Sequence, residues 1–379
     1  MLAIIPARGG SKGIPGKNKK MFAGKPLIQW TIETAFETDR IDNVIVSTDD
    51  EEISRIALAA GATVITRPEE LSGDYATSET AIKHVLKILQ QETLLPEAVV
   101  FLQCTSPLIL PEDLQRGLEK FKTADTVVAV TEFTGALWNK NGAGINHNPE
   151  QIRQPRQKIA KQYLETGAFY IFDTKLFLEK ENRFCGKVDF VEIPKERSLE
   201  IDTPLDFEIT GRYKREQIRW ENSNKIPKNL KLVVFDFDGV FTDNKVLTTE
   251  DGKEGVITNK GDGLALSEFP WNKYGIDVMV LSSEKNSAGL RRCEKFPRVS
   301  YFRSKNKLQV LKKWAKKPEQ VIYVGNDRND LDCMRWVGCA VAPADAYPEI
   351  QSNADIVLES KGGDGVIREL LELIIARRR

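Results

Sequence analysis

Leu2-Ala3-Ile4-Ile5-Pro6-Ala7-Arg8-Gly9-Gly10-Ser11-Lys12-Gly13-Ile14-Pro15-Gly16-Lys17-Asn18 is the stretch whose reading decides how the first half of the chain folds. Its opening run is apolar at successive positions, as a strand buried on both faces requires. It then breaks at once into glycines and cations. Glycine lets backbone N–H groups approach an anion with no Cβ in the way. Arg8, Lys12 and Lys17 add fixed positive charge suited to a triphosphate and to a departing pyrophosphate. The loop is neither the GxxxxGK[ST] of ATPases nor the GxGxxG of dinucleotide folds. The plain alternative is a basic surface turn, but three cations within residues 8–17 point to an anion site.

Working outward, residues 26–38 have helical periodicity, 43–49 read as a second buried strand, 51–61 as a helix closing on Gly61, and 98–107 as a third strand. Strands that end in polar loops and feed helices imply a parallel sheet with ligands at the strands' carboxyl ends. The segment around 211–229 is highly charged and reads as a helix end followed by a linker over 216–229. The pattern restarts at 231–239 (KLVVFDFDG), 276–283 and 320–327. The expectation is α/β: a domain over 1–215 and a second over 230–379, both Rossmann-like and three-layered. A chain of 379 residues suits two such cores.

Composition narrows the functional classes. Lys plus Arg and Asp plus Glu both number 55, so no global basic field recommends nucleic acid as a partner. Five cysteines without a CxxC pair argue for a reducing compartment and against a disulfide framework or zinc site. The opening apolar run is too short for a signal peptide, and no segment approaches the roughly 20 apolar residues of a membrane span. A cytoplasmic protein with no membrane partner is expected. With only two histidines, the chemistry must rest on carboxylates, lysines, arginines, backbone amides and a metal. Asp236 and Asp238, just past a buried strand, face one crevice because alternate strand side chains project together. One can attack a phosphoryl group while the other moves a proton.

The segments IIPARGGSKGIPGKN, VIVSTDD, RPEELSGD, LQCTSPL and IDTPLDF occur in an order and spacing similar to the N-acylneuraminate cytidylyltransferases, over essentially all of residues 1–210. The resemblance implies a CTP-binding nucleotidyltransferase domain. Ala7, Arg8, Gly9, Gly10, Ser11, Lys12, Lys17 and Asn18 would hold the nucleotide phosphates, with Arg67 and Asp74 near cytidine. Gln103, Thr105, Ser106, Arg156, Tyr163, Glu165, Thr166 and Gly167 would meet a sialic-type (nonulosonic) acid, whose carboxylate suits a bidentate arginine. Asp202, with Glu200, would carry Mg2+. The implied reaction is attack of the sugar's anomeric hydroxyl on the α-phosphate, promoted by Arg8, Lys12, Lys17 and Asp202. This chain departs from the family at Glu200, where aspartate is usual, and at Ile109, where an arginine is frequent.

Asp236-Phe237-Asp238, Ser282, Lys307 and Gly325-Asn326-Asp327 appear in an order that resembles the haloacid dehalogenase phosphatases. DFDGVFTDN, KGDGLAL, NKLQVL and GGDGVIREL narrow this to the capless KDO-8-phosphate phosphatase branch, over about 230–375. By that resemblance Asp236 is the nucleophile, Asp238 the acid/base, and Ser282, Ser283 and Lys307 bind phosphate. Asp236, Asp238, Asn326 and Asp327 would carry Mg2+. Asn326 replaces a carboxylate, and Glu284 and Asp364 replace cations of the branch. Those changes move the expected substrate from KDO 8-phosphate toward a nonulosonate 9-phosphate. The whole arrangement resembles the two-domain animal CMP-sialic acid synthetases, whose second domain lacks the nucleophile and serves assembly; here Asp236 is present. A homodimer or homotetramer is expected. A working phosphatase, a silent oligomerisation domain and a KDO-specific pair of activities all stay open, as does the sugar (Neu5Ac, KDN or legionaminic acid). The final GGDG and its apolar helix would pack either on a neighbouring subunit or on their own domain.

Overall fold

The computed structural model describes residues 1–73, 77–92, 94–152 and 155–378, without the side chains of Arg156 and Asn272. The chain divides into two compact units, Met1–Arg215 and Glu216–Arg379.

The first unit is built on seven strands: β1 (Leu2–Pro6), β2 (Asn43–Thr48), β3 (Thr63–Thr66), β4 (Ala98–Leu102), β5 (Thr126–Phe133), β6 (Gln162–Asp173) and β7 (Val188–Glu192), in the order β3-β2-β1-β4-β6-β5-β7. β1 pairs in parallel with both β2 and β4. Its side chains alternate between two cores: Ala3 and Ile5 pack on one face, Leu2 and Ile4 on the other. That explains why its sequence shows no polar alternation. The expected all-parallel sheet is mixed instead. β6 runs antiparallel to β4 and β5, and it carries the sugar-side candidates into the sheet centre.

Helices α1 (Leu27–Phe36) and α2 (Glu51–Ala59) follow the predicted periodicity, and α3 (Ser78–Gln91) succeeds β3. Asp50 caps α2, its carboxylate accepting from the N–H groups of Glu52 and Ile53 at 2.9 Å each. The stretch read as a linker is helical as far as Lys225, within α4 (Pro204–Lys225). Its interrupted apolar pattern and high charge concealed the helix.

The second unit carries six parallel strands, β8 (Leu232–Phe235), β11 (Asp277–Ser282), β12 (Val299–Arg303), β13 (Val321–Val324), β14 (Cys339–Ala342) and β15 (Ile356–Val357), ordered β12-β11-β8-β13-β14-β15. A small hairpin, β9 (Leu247–Thr248) with β10 (Glu254–Gly255), stands apart from this sheet. β8 at the centre is again buried on both faces, Val233 and Phe235 in one core and Leu232 and Val234 in the other. The last helix, α6 (Val366–Arg378), packs beside α5 (Lys260–Glu268) in the first of those cores. Thus the terminal helix closes its own unit. Among the described residues, no helix is long and apolar enough to cross a membrane, and all five cysteines are free and buried.

Candidate active sites

In the first unit the loop after β1 is pinned from several sides. Ala7 N–H donates to Ser47 O (2.9 Å), Gly9 N–H to the Asp49 carboxylate (2.8 Å), and Asn18 Nδ2 to Arg8 O (3.1 Å). A side chain on Gly9 would meet the Asp50 carboxylate at 2.8 Å, so glycine is required there by close approach. Lys17 is buried. Its Nζ donates to Ile201 O (2.5 Å) and lies 3.7 Å from Asp202 Oδ1. The loop thereby rests against the 200–202 segment, and a Cβ on Gly13 would strike the Asp202 carbonyl.

That segment ties in turn to the sugar-side candidates. Thr105 O accepts from Ile201 N–H (2.8 Å), and Thr105 Oγ1 donates to Glu200 Oε1 (3.1 Å). Gln103 Nε2 donates to Gly167 O, and Gly167 has a left-handed φ of 68°. Glu165 accepts from the Tyr170 hydroxyl. Thr166 is buried with Oγ1 on Ala129 O (3.1 Å). Ser106 is buried with no partner for its hydroxyl. Tyr163 packs on Phe190, ring centroids 4.6 Å apart. Burial pushes the Glu200 carboxyl above its ordinary value, the Thr105 hydrogen bond opposing and the Asp202 and Glu165 charges adding.

The structure therefore brings together Lys17, Glu200, Asp202, Gln103, Thr105 and the 165–167 segment, while Arg8 Nη1 donates to Gly73 O (3.2 Å). Arg67, expected near cytidine, lies beneath the loop against the end of β2. It is buried, with Nε on Ser47 Oγ (3.2 Å) and Nη2 on Ser47 O (2.7 Å). Burial lowers its pKa, Asp49 opposing and the nearby Arg8 adding. Asp74 and the side chain of Arg156 lie outside the described residues. Sequence reasoning missed Asp49, Ser47 and Tyr170. The first two stand in the VIVSTDD segment at the carboxyl end of β2, where the parallel-sheet rule would have placed them.

In the second unit a cavity of about 440 Å³ is lined by residues including Asp236, Asp238, Glu254, Ser283, Glu284, Asn326 and Asp327. Lys307, almost fully buried, donates to Asp236 Oδ1 (2.8 Å) and Asp330 Oδ1 (2.7 Å). Asp330 also accepts from the Tyr323 hydroxyl (2.7 Å) and the N–H groups of Asn326 (3.0 Å) and Asp327 (3.3 Å). One ammonium thus serves two buried carboxylates. Burial pushes Asp236 well up, Asp330 adding and Lys307 opposing. Lys307 is itself raised, because its two carboxylates outweigh its burial. Asp238 is raised by burial and by Glu284.

Ser282 does not line the cavity. Its Oγ accepts from the Glu284 N–H (3.0 Å), while Ser283 lines the cavity. Asp330, Tyr323 and Glu254 were missed by sequence reasoning; the first two are legible only once Lys307 is seen between two acids.

The donor sets fit a hard divalent cation. Asn326 Oδ1 is buried without a hydrogen-bond partner, and Asn326 lines the same cavity as Asp236 and Asp238. Among the described residues no three acidic, His or Cys side chains converge closely enough to hold an ion alone. Mg2+ keeps waters and takes phosphate oxygens, so one or two carboxylates suffice. Glu200 and Asp202 meet that requirement in the first unit.

Comparison with known proteins gives the arrangement its class. The cytidylyltransferase family model matches residues 2–226, more than half of the chain, and a haloacid dehalogenase-like hydrolase model matches 304–370. The chain belongs to the cytidylyltransferase family, and it joins a cytidylyltransferase domain to a haloacid dehalogenase-like one. More narrowly, it is 30% identical over 389 aligned positions to the N-acylneuraminate cytidylyltransferase A of Danio rerio, covering 98% of this chain and 88% of that one. The first unit is also similar to the pseudaminic acid cytidylyltransferase of Campylobacter jejuni, at 36% identity over 55% of this chain and 93% of that one. A solved structure, the cobalt-bound deoxy-D-mannose-octulosonate 8-phosphate phosphatase of Haemophilus influenzae, is 28% identical over 41% of this chain and 92% of its own, with a TM-score of 0.37.

Proposed function

We propose that the first unit transfers a cytidylyl group from CTP to a nonulosonic acid of the sialic type, releasing pyrophosphate. The observation that carries this reading is the contact of the cationic loop with the acidic 200–202 segment through Lys17, in a chain similar over nearly its full length to N-acylneuraminate cytidylyltransferases. Arg8, Lys12 and Lys17 hold the phosphates, and Gln103, Thr105 and the 165–167 segment orient the sugar. The anomeric hydroxyl attacks the α-phosphorus and releases its proton to solvent, the bond from the α-phosphorus to the bridging β-phosphate oxygen breaks, and pyrophosphate leaves into the cationic loop. Mg2+ held by Glu200 and Asp202 would absorb phosphate charge.

We further propose that the second unit is a phosphatase for a nonulosonate 9-phosphate, the ester whose hydrolysis yields the first unit's sugar. Asp236 Oδ attacks phosphorus, Asp238 gives its proton to the departing sugar oxygen, and water then hydrolyses the aspartyl phosphate. Lys307 keeps Asp236 oriented. Of the four expected ligands, Asp236 and Asn326 would hold Mg2+ together with waters and phosphate oxygens, with Asp238 and Asp327 lining the same cavity. The intact Asp236 favours turnover over a purely structural domain. Assembly as a homodimer or homotetramer belongs to the same reading.

The test is pyrophosphate release from CTP with Mg2+ across Neu5Ac, KDN, legionaminic acid and KDO, with phosphate release from the matching sugar phosphates followed in parallel. Turnover of a nine-carbon acid, and phosphate release abolished in Asp236→Asn, are expected. Turnover of KDO alone would overturn the substrate class. Phosphate release that survives in Asp236→Asn would overturn the second activity.

A further inference from the structure

The conspicuous GGDG segment near the end of the chain has no role in the chemistry above, yet it lies directly beneath it. Gly362 N–H donates to Asp345 Oδ1 (2.8 Å) and Gly363 N–H to Val240 O (3.0 Å). The Glu359 and Ser360 N–H groups reach the Glu369 carboxylate (2.9 and 2.8 Å), and Gly365 N–H reaches Asp262 (3.3 Å). So anchored, the loop presses two glycines onto the turn after Asp238. A Cβ on Gly362 would collide with the Gly239 carbonyl and stand 2.9 Å from Thr242 O. One on Gly363 would stand 2.7 Å from the Thr242 carbonyl carbon.

The contact continues one layer further. Gly239 has φ of 78°, and the space its side chain would fill is taken by the Asn326 amide. The terminal loop, the 239–242 turn and Asn326 form three layers without room for a methyl group between them. We infer that Gly362 and Gly363 are positioning residues for the metal-ligand set: by seating the 239–242 turn they hold Gly239 against Asn326 and so aim its unpartnered Oδ1 beside Asp236 and Asp238. The inference rests on the reading of Asn326 as a ligand. Close-packed interiors transmit such displacements because they have no slack to absorb them, and outer-shell support is worth about 10–100-fold in metal affinity.

The test uses the full chain and Mn2+ as probe, its free concentration read by electron paramagnetic resonance. Asn326→Ala identifies which Mn2+ site belongs to the second unit. Gly362→Ala is expected to weaken that site by about tenfold or more while leaving the circular dichroism unchanged. Gly365→Ala is the control: its φ of 101° makes it strained as well, but its nearest neighbour is the Ser360 hydroxyl at 3.5 Å, away from the turn. It should lower the melting temperature and keep the Mn2+ affinity. Should Gly362→Ala fail to fold, Asp345→Ala loosens the same anchor without adding bulk and should also weaken Mn2+. Wild-type affinity in the folded Gly362→Ala protein, with affinity lost in Asn326→Ala, overturns the positioning role alone. No Mn2+ change in Asn326→Ala overturns the ligand reading and this inference with it.

Discussion

Replacing Lys307 by methionine tests the electrostatic account of the second unit. Methionine keeps most of the side-chain volume and removes the charge, leaving Asp236 and Asp330 buried without their shared ammonium. Removing one partner of a buried ion pair costs about 3–5 kcal/mol, because the remaining charge has lost its compensation. The second unit spans 164 residues, from Glu216 to Arg379, and a domain of that size loses about 2–4 °C of melting temperature per kcal/mol. Its calorimetric transition should therefore fall by about 10 °C at pH 7.5, while that of the first unit stays in place. The sign of the pH dependence follows from Asp236, whose folded-state pKa is already raised. A raised carboxyl destabilises the fold above its ordinary value of about 3.9, and that penalty disappears as pH falls through the folded pKa. Without Lys307 the opposing attraction is lost, so the deficit of the variant should shrink as pH is lowered toward the ordinary carboxylate range. Adding Asp330→Asn to Lys307→Met should recover part of the loss. A fall of less than about 2 °C, or a deficit that does not shrink as pH is lowered, would refute the reasoning.

Three further outcomes are expected. Gly13→Ala forces a Cβ into the Asp202 carbonyl; a displacement near 1 Å at a reacting site costs on the order of 100-fold, so the kcat of CTP-dependent pyrophosphate release should fall steeply while the phosphate release proposed for the second unit is unchanged. Glu79 binds Arg183 at 2.6 Å, and Arg183 stacks on Tyr170 and Phe101 at 4.5 and 4.8 Å. Burial raises the Glu79 carboxyl but Arg183 outweighs it, leaving it lowered; the pair's stabilisation is thus present above about pH 4.3 and lost as pH falls through the folded pKa. Glu79→Gln should cost about 1–3 kcal/mol at pH 7 and almost nothing in strong acid, as urea unfolding at the two pH values would reveal. Burial pushes the thiols of Cys104, Cys293, Cys333 and Cys339 up to about 12, so Ellman's reagent at pH 8 should find them unreactive in the native protein and all five cysteines reactive in denaturant.

Much of the architecture is readable from local pattern. β1 and β8 announce themselves because strands buried on both faces must be apolar at successive positions, and the loops that follow them stand out because glycine and charge interrupt such a run abruptly. Helices α1 and α2 carry enough periodicity to be placed within a few residues. α4 was not legible beyond Arg215, since its exposed positions break the amphipathic repeat. The direction of β6 was equally hidden, because an apolar strand at the centre of a sheet reads the same whether it runs parallel or antiparallel to its neighbours.

The candidate sites divide along the same line. Residues proposed to act from a motif, such as Arg8, Lys12, Asp236 and Asp238, stand in a glycine-rich loop and at a strand end that local pattern alone marks, and sequence alone determined that this chain carries a cationic glycine loop in one half and a DxD strand end in the other. Partnerships between distant segments were decided only by the tertiary structure. Lys17 meets Ile201 across 184 positions of sequence separation, Lys307 stands between Asp236 and Asp330, and Ser282 is buried with its Oγ on the Glu284 N–H while Ser283 lines the cavity. The physical reason is that spacing along a chain constrains only neighbours on one element. Which buried charge faces which, and where a missing methyl group matters, depend on how separate elements close over one another.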